Sequence, residues 1–152
     1  DGSDPAHDGA GNPTGTTLVY VGALTIDKTM TIKAVGWKTG YNDSAIIPQT
    51  YTMVALDPTF APAVGGPYPG PFSVTLNTGT LGSTILYTND GSNPTHDGLG
   101  NPTGSTLVYS GAIPIAVTTV LRFMVYKTGY TSSITVQITV TESGGNFTVS
   151  SP

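Results

Sequence analysis

Apolar and polar residues alternate over short stretches of the chain, and glycine, proline, asparagine or serine bounds each stretch. In the second half this pattern predicts strands over residues 72–76, 83–88, 106–109, 118–126 and 133–141. In the first half it predicts strands over residues 17–21, 29–37 and 46–53. Because short strands separated by regular turns are typical of sandwiches, the pattern predicts an all-β fold.

The longest predicted strand, 118–126, has two faces of different character. One face is apolar and is assigned to the core: Leu121, Phe123 and Val125. The opposite face ends in Tyr126, and the matching position of the strand over 29–37 is Trp37. An outward aromatic ring can stack on a sugar, pack against a neighbouring molecule or lie beneath a long loop. We favour a packing role for both rings over sugar stacking.

The chain repeats itself. Residues 1–20 read DGSDPAHDGAGNPTGTTLVY and residues 90–109 read DGSNPTHDGLGNPTGSTLVY, an offset of 89 positions that continues without a gap to the KTGY sequences at 38–41 and 127–130. A period close to the size of one sandwich domain, about 100 residues, exceeds the roughly 20–50 residues of solenoid repeats. The sequence therefore predicts tandem immunoglobulin-like β-sandwich repeats with an 89-residue period.

The repeat divides the chain into three parts. Residues 1–55 form an incomplete first sandwich that lacks its first strands, residues 56–143 form a complete second sandwich, and residues 144–152 form a tail or the start of a further repeat. A sandwich without its first two strands exposes sheet edges and a core groove, which strands of another molecule can fill. The simpler alternative is a window cut from a longer array of repeats.

Composition excludes several classes of function. With five basic residues, a net charge of −4 and a pI of about 4.6, the chain offers no footprint for nucleic acid or for acidic membranes. Cysteine is absent, which excludes disulfides, zinc thiolates and cysteine nucleophiles. Glu142 is the sole glutamate, and no carboxylate pair suited to glycoside hydrolysis stands out. We therefore expect no enzymatic activity.

One loop, present in both halves, concentrates oxygen-bearing side chains among glycines. Its members are Asp1, Asp4, Asp8 and Asn12 in the first half and Asp90, Asn93, Asp97 and Asn101 in the second. Calcium takes roughly six to eight oxygens from such loops, although the spacing differs from an EF-hand. The alternative, which we favour, is that these side chains cap their own backbone in Asx turns. Calcium is the one cofactor considered, and no other metal is expected.

The segment 87–95, YTNDGSNPT, is followed by LVYSGAI at 107–113, by Gly129-Tyr130 and by Ser133. This succession resembles the chitobiase/β-hexosaminidase C-terminal domain family, and the first half matches the same pattern. The resemblance implies a fold similar to immunoglobulin and fibronectin type III domains, an accessory role in secreted or surface proteins, and no catalytic residues. An insertion at 96–104, repeated at 7–15, departs from the family's shorter loop.

Two functions remain open at this stage. The favoured one is a structural repeat of a secreted or cell-surface bacterial protein, such as a fibre or an adhesin, that associates with itself or with neighbouring repeats and shares strands between subunits. The alternative is a carbohydrate-binding accessory module of a secreted glycosidase or cell-wall protein, with a polysaccharide as its partner.

Overall fold

A computed structural model describes residues 2–152 of the chain. The regular elements of these residues are all strands, which confirms the all-β prediction. The chain divides into two compact units, residues 1–53 and 54–152, and each is described by itself below. No helix of the described residues is long and apolar enough to cross a membrane.

The first unit contains two separate strand pairs. Strands β1 (Ala6–His7) and β2 (Pro13–Thr14) form a small antiparallel hairpin. Strands β3 (Met30–Ala34) and β4 (Ile47–Tyr51) form a second antiparallel pair, with Met30 opposite Tyr51 and Ala34 opposite Ile47. Both strands of the second pair lie within stretches predicted from the alternation of apolar residues. Among the described residues of the unit, these two pairs are separate sheets.

The second unit is a two-layer sandwich. Its strands are β5 (Thr59–Ala61), β6 (Gly65–Pro69), β7 (Phe72–Asn77), β8 (Thr84–Thr88), β9 (Thr95–His96), β10 (Pro102–Thr103), β11 (Leu107–Val108), β12 (Ile113–Ile115), β13 (Thr119–Tyr126), β14 (Val136–Ser143) and β15 (Asn146–Ser150). Six of them form one sheet in the order β11-β8-β13-β14-β15-β6, and three form the facing sheet in the order β12-β7-β5. Strands β9 and β10 form a separate hairpin that matches β1 and β2 in the first unit.

The core of the second unit lies between its two sheets. Strand β7 alternates strictly, so that Phe72, Val74 and Leu76 are buried while the residues between them are exposed. Leu121, Phe123 and Val125 face them from β13 and have no exposed surface, which confirms the predicted core face. This alternation is what a period of two residues produces when one side of a sheet is covered.

Two stretches differ from the expectation. Residues 17–21 are not a strand, although they were predicted as one, and Leu18 is 86% exposed. Their counterparts at 106–110 include β11, which exists because β8 lies beside it and supplies its hydrogen-bond partner. Residues 144–152, set apart as a tail or as the start of a further repeat, supply β15, which pairs with β14 and β6 inside the second unit. The turn that makes this hairpin possible uses Gly144 and Gly145, both at positive φ.

Candidate functional site

The first unit carries an open apolar groove of about 520 Å³. It is lined by Tyr20, Leu24, Ile26, Ile32, Ala34 and Tyr51. Tyr20 is 73% exposed and Leu24 is 56% exposed, while Ile26 and Ile32 are half-buried. Large apolar side chains gathered in an open groove mark a contact surface more often than scattered ones do.

The same six positions in the second unit belong to the core. The residues 89 positions later are Tyr109, Ile113, Ile115, Leu121, Phe123 and Val140. Tyr109 packs against the core and the other five are buried. The groove of the first unit is therefore one half of a sandwich core, exposed because its facing half is not among the residues of that unit.

In the second unit, residues of β5, β7 and β8 cover this surface. Strand β7 pairs with β12, placing Val74 opposite Ile113 and Phe72 opposite Ile115. From β5, the ring of Phe60 meets Phe123 edge-on, with 5.9 Å between ring centroids. Ile85 of β8 is buried in the same cluster. The part of the first unit that the structure describes contains no counterpart of β5, β7 or β8.

A second opening in the first unit, of about 540 Å³, lies at the position that β8 occupies in the second unit. Residues 17–20 line it on one side and residues 31–35 on the other. In the second unit the corresponding residues are hydrogen-bonded to the two edges of β8, which lies between β11 and β13. Leu86, for example, stands opposite Val108 on one side and Met124 on the other. The first unit thus has two vacant strand positions, one equivalent to β7 and one equivalent to β8.

The two aromatic residues singled out from the sequence, Tyr126 and Trp37, pack against their own inserted loops. Tyr126 is only 9% exposed; its ring lies 4.5 Å from that of His96, and its hydroxyl donates a hydrogen bond of 3.1 Å to the carbonyl of Gly98. Trp37 is 37% exposed, with its ring 5.4 Å from that of His7. Of the roles weighed above, burial beneath a long loop is the arrangement found at Tyr126.

The inserted loops bring the aspartates and asparagines into Asx turns. In the second unit, Asp97 accepts hydrogen bonds from the backbone of Leu99 and Asn101 and from the amide of Asn101. Asp8 does the same with Ala10 and Asn12. In both loops the pKa of the aspartate is lowered, and the largest cause is the hydrogen bond that it accepts from the side-chain amide of the asparagine.

The other members of the two loops have different partners. Asp90 accepts bonds from the backbone and hydroxyl of Ser92, and this holds its pKa at about 2. Asp4 pairs with Lys33 at 2.7 Å, and Asn93 accepts a bond from Arg122. Asp1 lies outside the described residues. Among residues 2–152 there is no group of three or more acidic or histidine side chains placed to hold a metal ion. The calcium site stays a prediction.

One feature of the first unit has no equivalent in the second. His7 Nε2 lies 2.9 Å from a carboxylate oxygen of Asp43, whereas its counterpart His96 contacts the hydroxyl of Ser132. The pKa of the His7 imidazole is raised. The largest cause is the hydrogen bond between Nδ1 and the carbonyl of Asp8, and the hydrogen bond to Asp43 adds to it.

Glu142, the sole glutamate, accepts a hydrogen bond from the backbone of Gly145 and so caps a turn.

Sequence reasoning predicted that the incomplete first sandwich leaves a core groove open, but it named only part of the lining. Leu24, Ile26 and Tyr51 were not singled out. Leu24 and Ile26 lie outside the predicted strands, and Tyr51, although it lies in the predicted strand 46–53, was not assigned to the core face. The signal was nevertheless available: each stands 89 positions before a core residue of the complete repeat. Transferring the core of the second unit onto the first would have found all three.

Comparison with known proteins agrees with this description of the two units. The family model of the chitobiase/beta-hexosaminidase C-terminal domain matches residues 63–141, and the Fn3 associated model matches residues 1–51. No curated protein and no solved structure shows a significant match. Both models describe accessory domains rather than catalytic ones. The first match covers more than half of the chain, which therefore belongs to the chitobiase/β-hexosaminidase C-terminal domain family.

Proposed function

We propose that this chain is a non-catalytic structural module of a secreted or cell-surface bacterial protein, fibre or adhesin, whose first unit is completed by β-strands from a neighbouring repeat or subunit. One observation carries the proposal: the apolar positions that are buried in the second unit are open in the first. Burying one such side chain contributes about 1.5–3 kcal/mol, so a segment that covers several of them gains substantial free energy.

The vacant positions also offer backbone hydrogen bonds. In the second unit β8 pairs with strands on both of its sides, and residues 17–20 and 31–35 hold the corresponding positions in the first. An inserted strand therefore gains main-chain bonds at two edges while its alternate side chains enter the groove. This is the usual physics of β-strand addition.

The test is a matched pair of leucine substitutions. Leu24→Asp places a charge in the groove, whereas Leu81→Asp changes a leucine of the second unit that is 88% exposed. We expect electron microscopy and sedimentation of the wild-type chain, together with its neighbouring repeats, to show association through the first unit. Leu24→Asp should abolish that association, since an unpaired charge in an apolar contact is costly, and Leu81→Asp should leave it intact. Equal association of both variants would contradict the proposal.

Carbohydrate binding is the second candidate, and the observation that favours it is the partial exposure of Trp37. An exposed indole on a strand can stack on a sugar ring. The test is co-sedimentation with insoluble chitin or cellulose, comparing Trp37→Ala with Tyr41→Ala, which removes an exposed ring of the same unit. Binding lost in the first variant and kept in the second would support this candidate, and no binding by the wild-type chain would exclude it for these polymers.

A further inference from the structure

We infer that the partner of the first unit is a β-strand pair that carries bulkier apolar side chains than β7 and β8 where it meets Ala34 and Gly36. This inference rests on the proposed function and specifies the chemistry of the segment that fills the groove. The argument uses the two units as a matched comparison, because one groove is filled and its equivalent is open.

The pattern of apolar residues expected in the partner follows from β7, which covers the equivalent surface of the second unit. The buried side chains of β7 are apolar and occur at every second position: Phe72, Val74 and Leu76. The residues between them are exposed. A segment that occupies the equivalent position in the first unit must alternate in the same way, since a shift by one residue would place polar side chains in the groove.

The two grooves differ in shape at one end. Phe123 and Val125, both without exposed surface, correspond to Ala34 and Gly36 in the first unit. Four of the other groove positions are nearly equivalent, and the fifth changes from Val140 to the larger Tyr51, which lies at the opposite end of the strand pair beside Met30. The volume released by Ala34 and Gly36 must be filled by the partner, because packed interiors leave few voids.

Trp37 makes the test possible. It is the sole tryptophan of the chain and lines the vacant β8 position, so its fluorescence reports on the first unit alone. The probe is a synthetic peptide of residues 72–88, which spans β7 and β8 and contains no tryptophan. A second peptide carries Ile85→Phe, because in the second unit Ile85 stands opposite Val125, the counterpart of Gly36. Both peptides are titrated into the full chain.

We expect saturable binding of both peptides with a blue shift of the Trp37 emission. The wild-type chain should bind the Ile85→Phe peptide about tenfold more tightly than the unmodified one, the size of effect that a filled apolar pocket gives. The Ala34→Phe/Gly36→Val chain, which restores the side chains of the second unit, should reverse this preference. Gly36→Val alone provides a milder variant, since a Cβ at Gly36 meets its nearest neighbour, the Ser44 hydroxyl, at an ordinary 3.5 Å.

The outcomes separate this inference from the proposed function. Equal affinity for both peptides in both chains would overturn the inference on bulk and leave strand acceptance standing. If the chain associates through Leu24 but binds neither peptide, the partner is not a strand pair like β7 and β8, and the inference is wrong. If the chain neither associates nor binds a peptide, the proposed function is wrong as well.

Discussion

At the scale of single residues, the repeat conserves packing contacts rather than exposed chemistry. Gly100 has a φ of +93°, and a Cβ added to it would lie 2.3 Å from a ring carbon of Tyr126. Gly11 stands against Trp37 in the same way, with a corresponding approach of 2.2 Å. In each unit a glycine lets the inserted loop lie directly on an aromatic ring. Tyr126 and Trp37 therefore anchor the loops, which explains why a bulky ring occupies both positions.

This contact predicts different effects for two neighbouring glycines. Gly98 also has positive φ, but a Cβ there meets nothing within 4 Å. Gly98→Ala should therefore lower the free energy of unfolding by about 1–2 kcal/mol through backbone strain alone. Gly100→Ala adds a clash with Tyr126 and should cost a further 1–3 kcal/mol, roughly the penalty for overpacking. Urea denaturation of both variants measures the difference, and equal effects would show that the loop does not rest on the ring.

The His7–Asp43 pair predicts a pH effect confined to the first unit. The pKa of His7 is raised in the folded chain, so its contribution to stability is complete below the ordinary value of about 6.5 and is lost as the pH rises through the raised value. Asp43→Asn should lower the pKa of His7 without restoring it fully, because the bond to the Asp8 carbonyl remains. Titration of the imidazole signals by NMR checks this, and an unchanged His7 pKa in the variant would contradict the pairing.

At the scale of elements, the sequence predicts strands well where both neighbours are present. The alternation at 72–76 and 118–126 is found as β7 and β13, and the predicted core face of β13 has no exposure. The same alternation fails at 17–21, because a strand exists only when another strand supplies its hydrogen bonds. Eight strands lie outside the predicted stretches: β1, β2, β5, β6, β9, β10, β12 and β15. They are short or rich in glycine and proline, and tertiary pairing rather than local propensity creates them.

The inserted loops give a prediction about calcium. Both oxygens of Asp97 accept hydrogen bonds within the Asx turn, so the carboxylate is already engaged. We therefore expect millimolar calcium to leave the melting temperature of the chain unchanged relative to EDTA. Asp97→Asn should lower the melting temperature in either buffer, because it removes the acceptor for the Asn101 amide. A rise in melting temperature with calcium that disappears in Asp97→Asn would instead establish the calcium site.

At the scale of the whole molecule, two nearly identical half-sequences have very different surroundings. The pair β13 and β14 is covered by a facing sheet and extended on both sides by further strands. Within residues 2–152, the equivalent pair β3 and β4 forms a sheet of two strands with no further strand beside it. A two-stranded sheet without packing is marginally stable in water, whatever its sequence. We therefore expect the second unit to be the more stable of the two, because its central strand pair is covered by a facing sheet.

That difference can be measured at one equivalent position. Leu121 has no exposed surface, whereas its counterpart Ile32 is half-buried. Leu121→Ala should lower the free energy of unfolding by about 2–5 kcal/mol, the usual cost of a cavity in a closed core. Ile32→Ala should cost less than about 1 kcal/mol in the isolated chain, since little apolar area is withdrawn from water there. Hydrogen exchange of the strand amides together with urea denaturation measures both effects.

The decisive comparison repeats the Ile32→Ala measurement with the strand partner bound. If the groove becomes a core on binding, the same substitution should weaken partner binding by an amount close to the cost of Leu121→Ala, because both side chains would then occupy closed and equivalent sites. If Ile32→Ala costs as much in the isolated chain as Leu121→Ala, the first unit is already a closed core in solution. That result would contradict the open groove on which the proposed function depends.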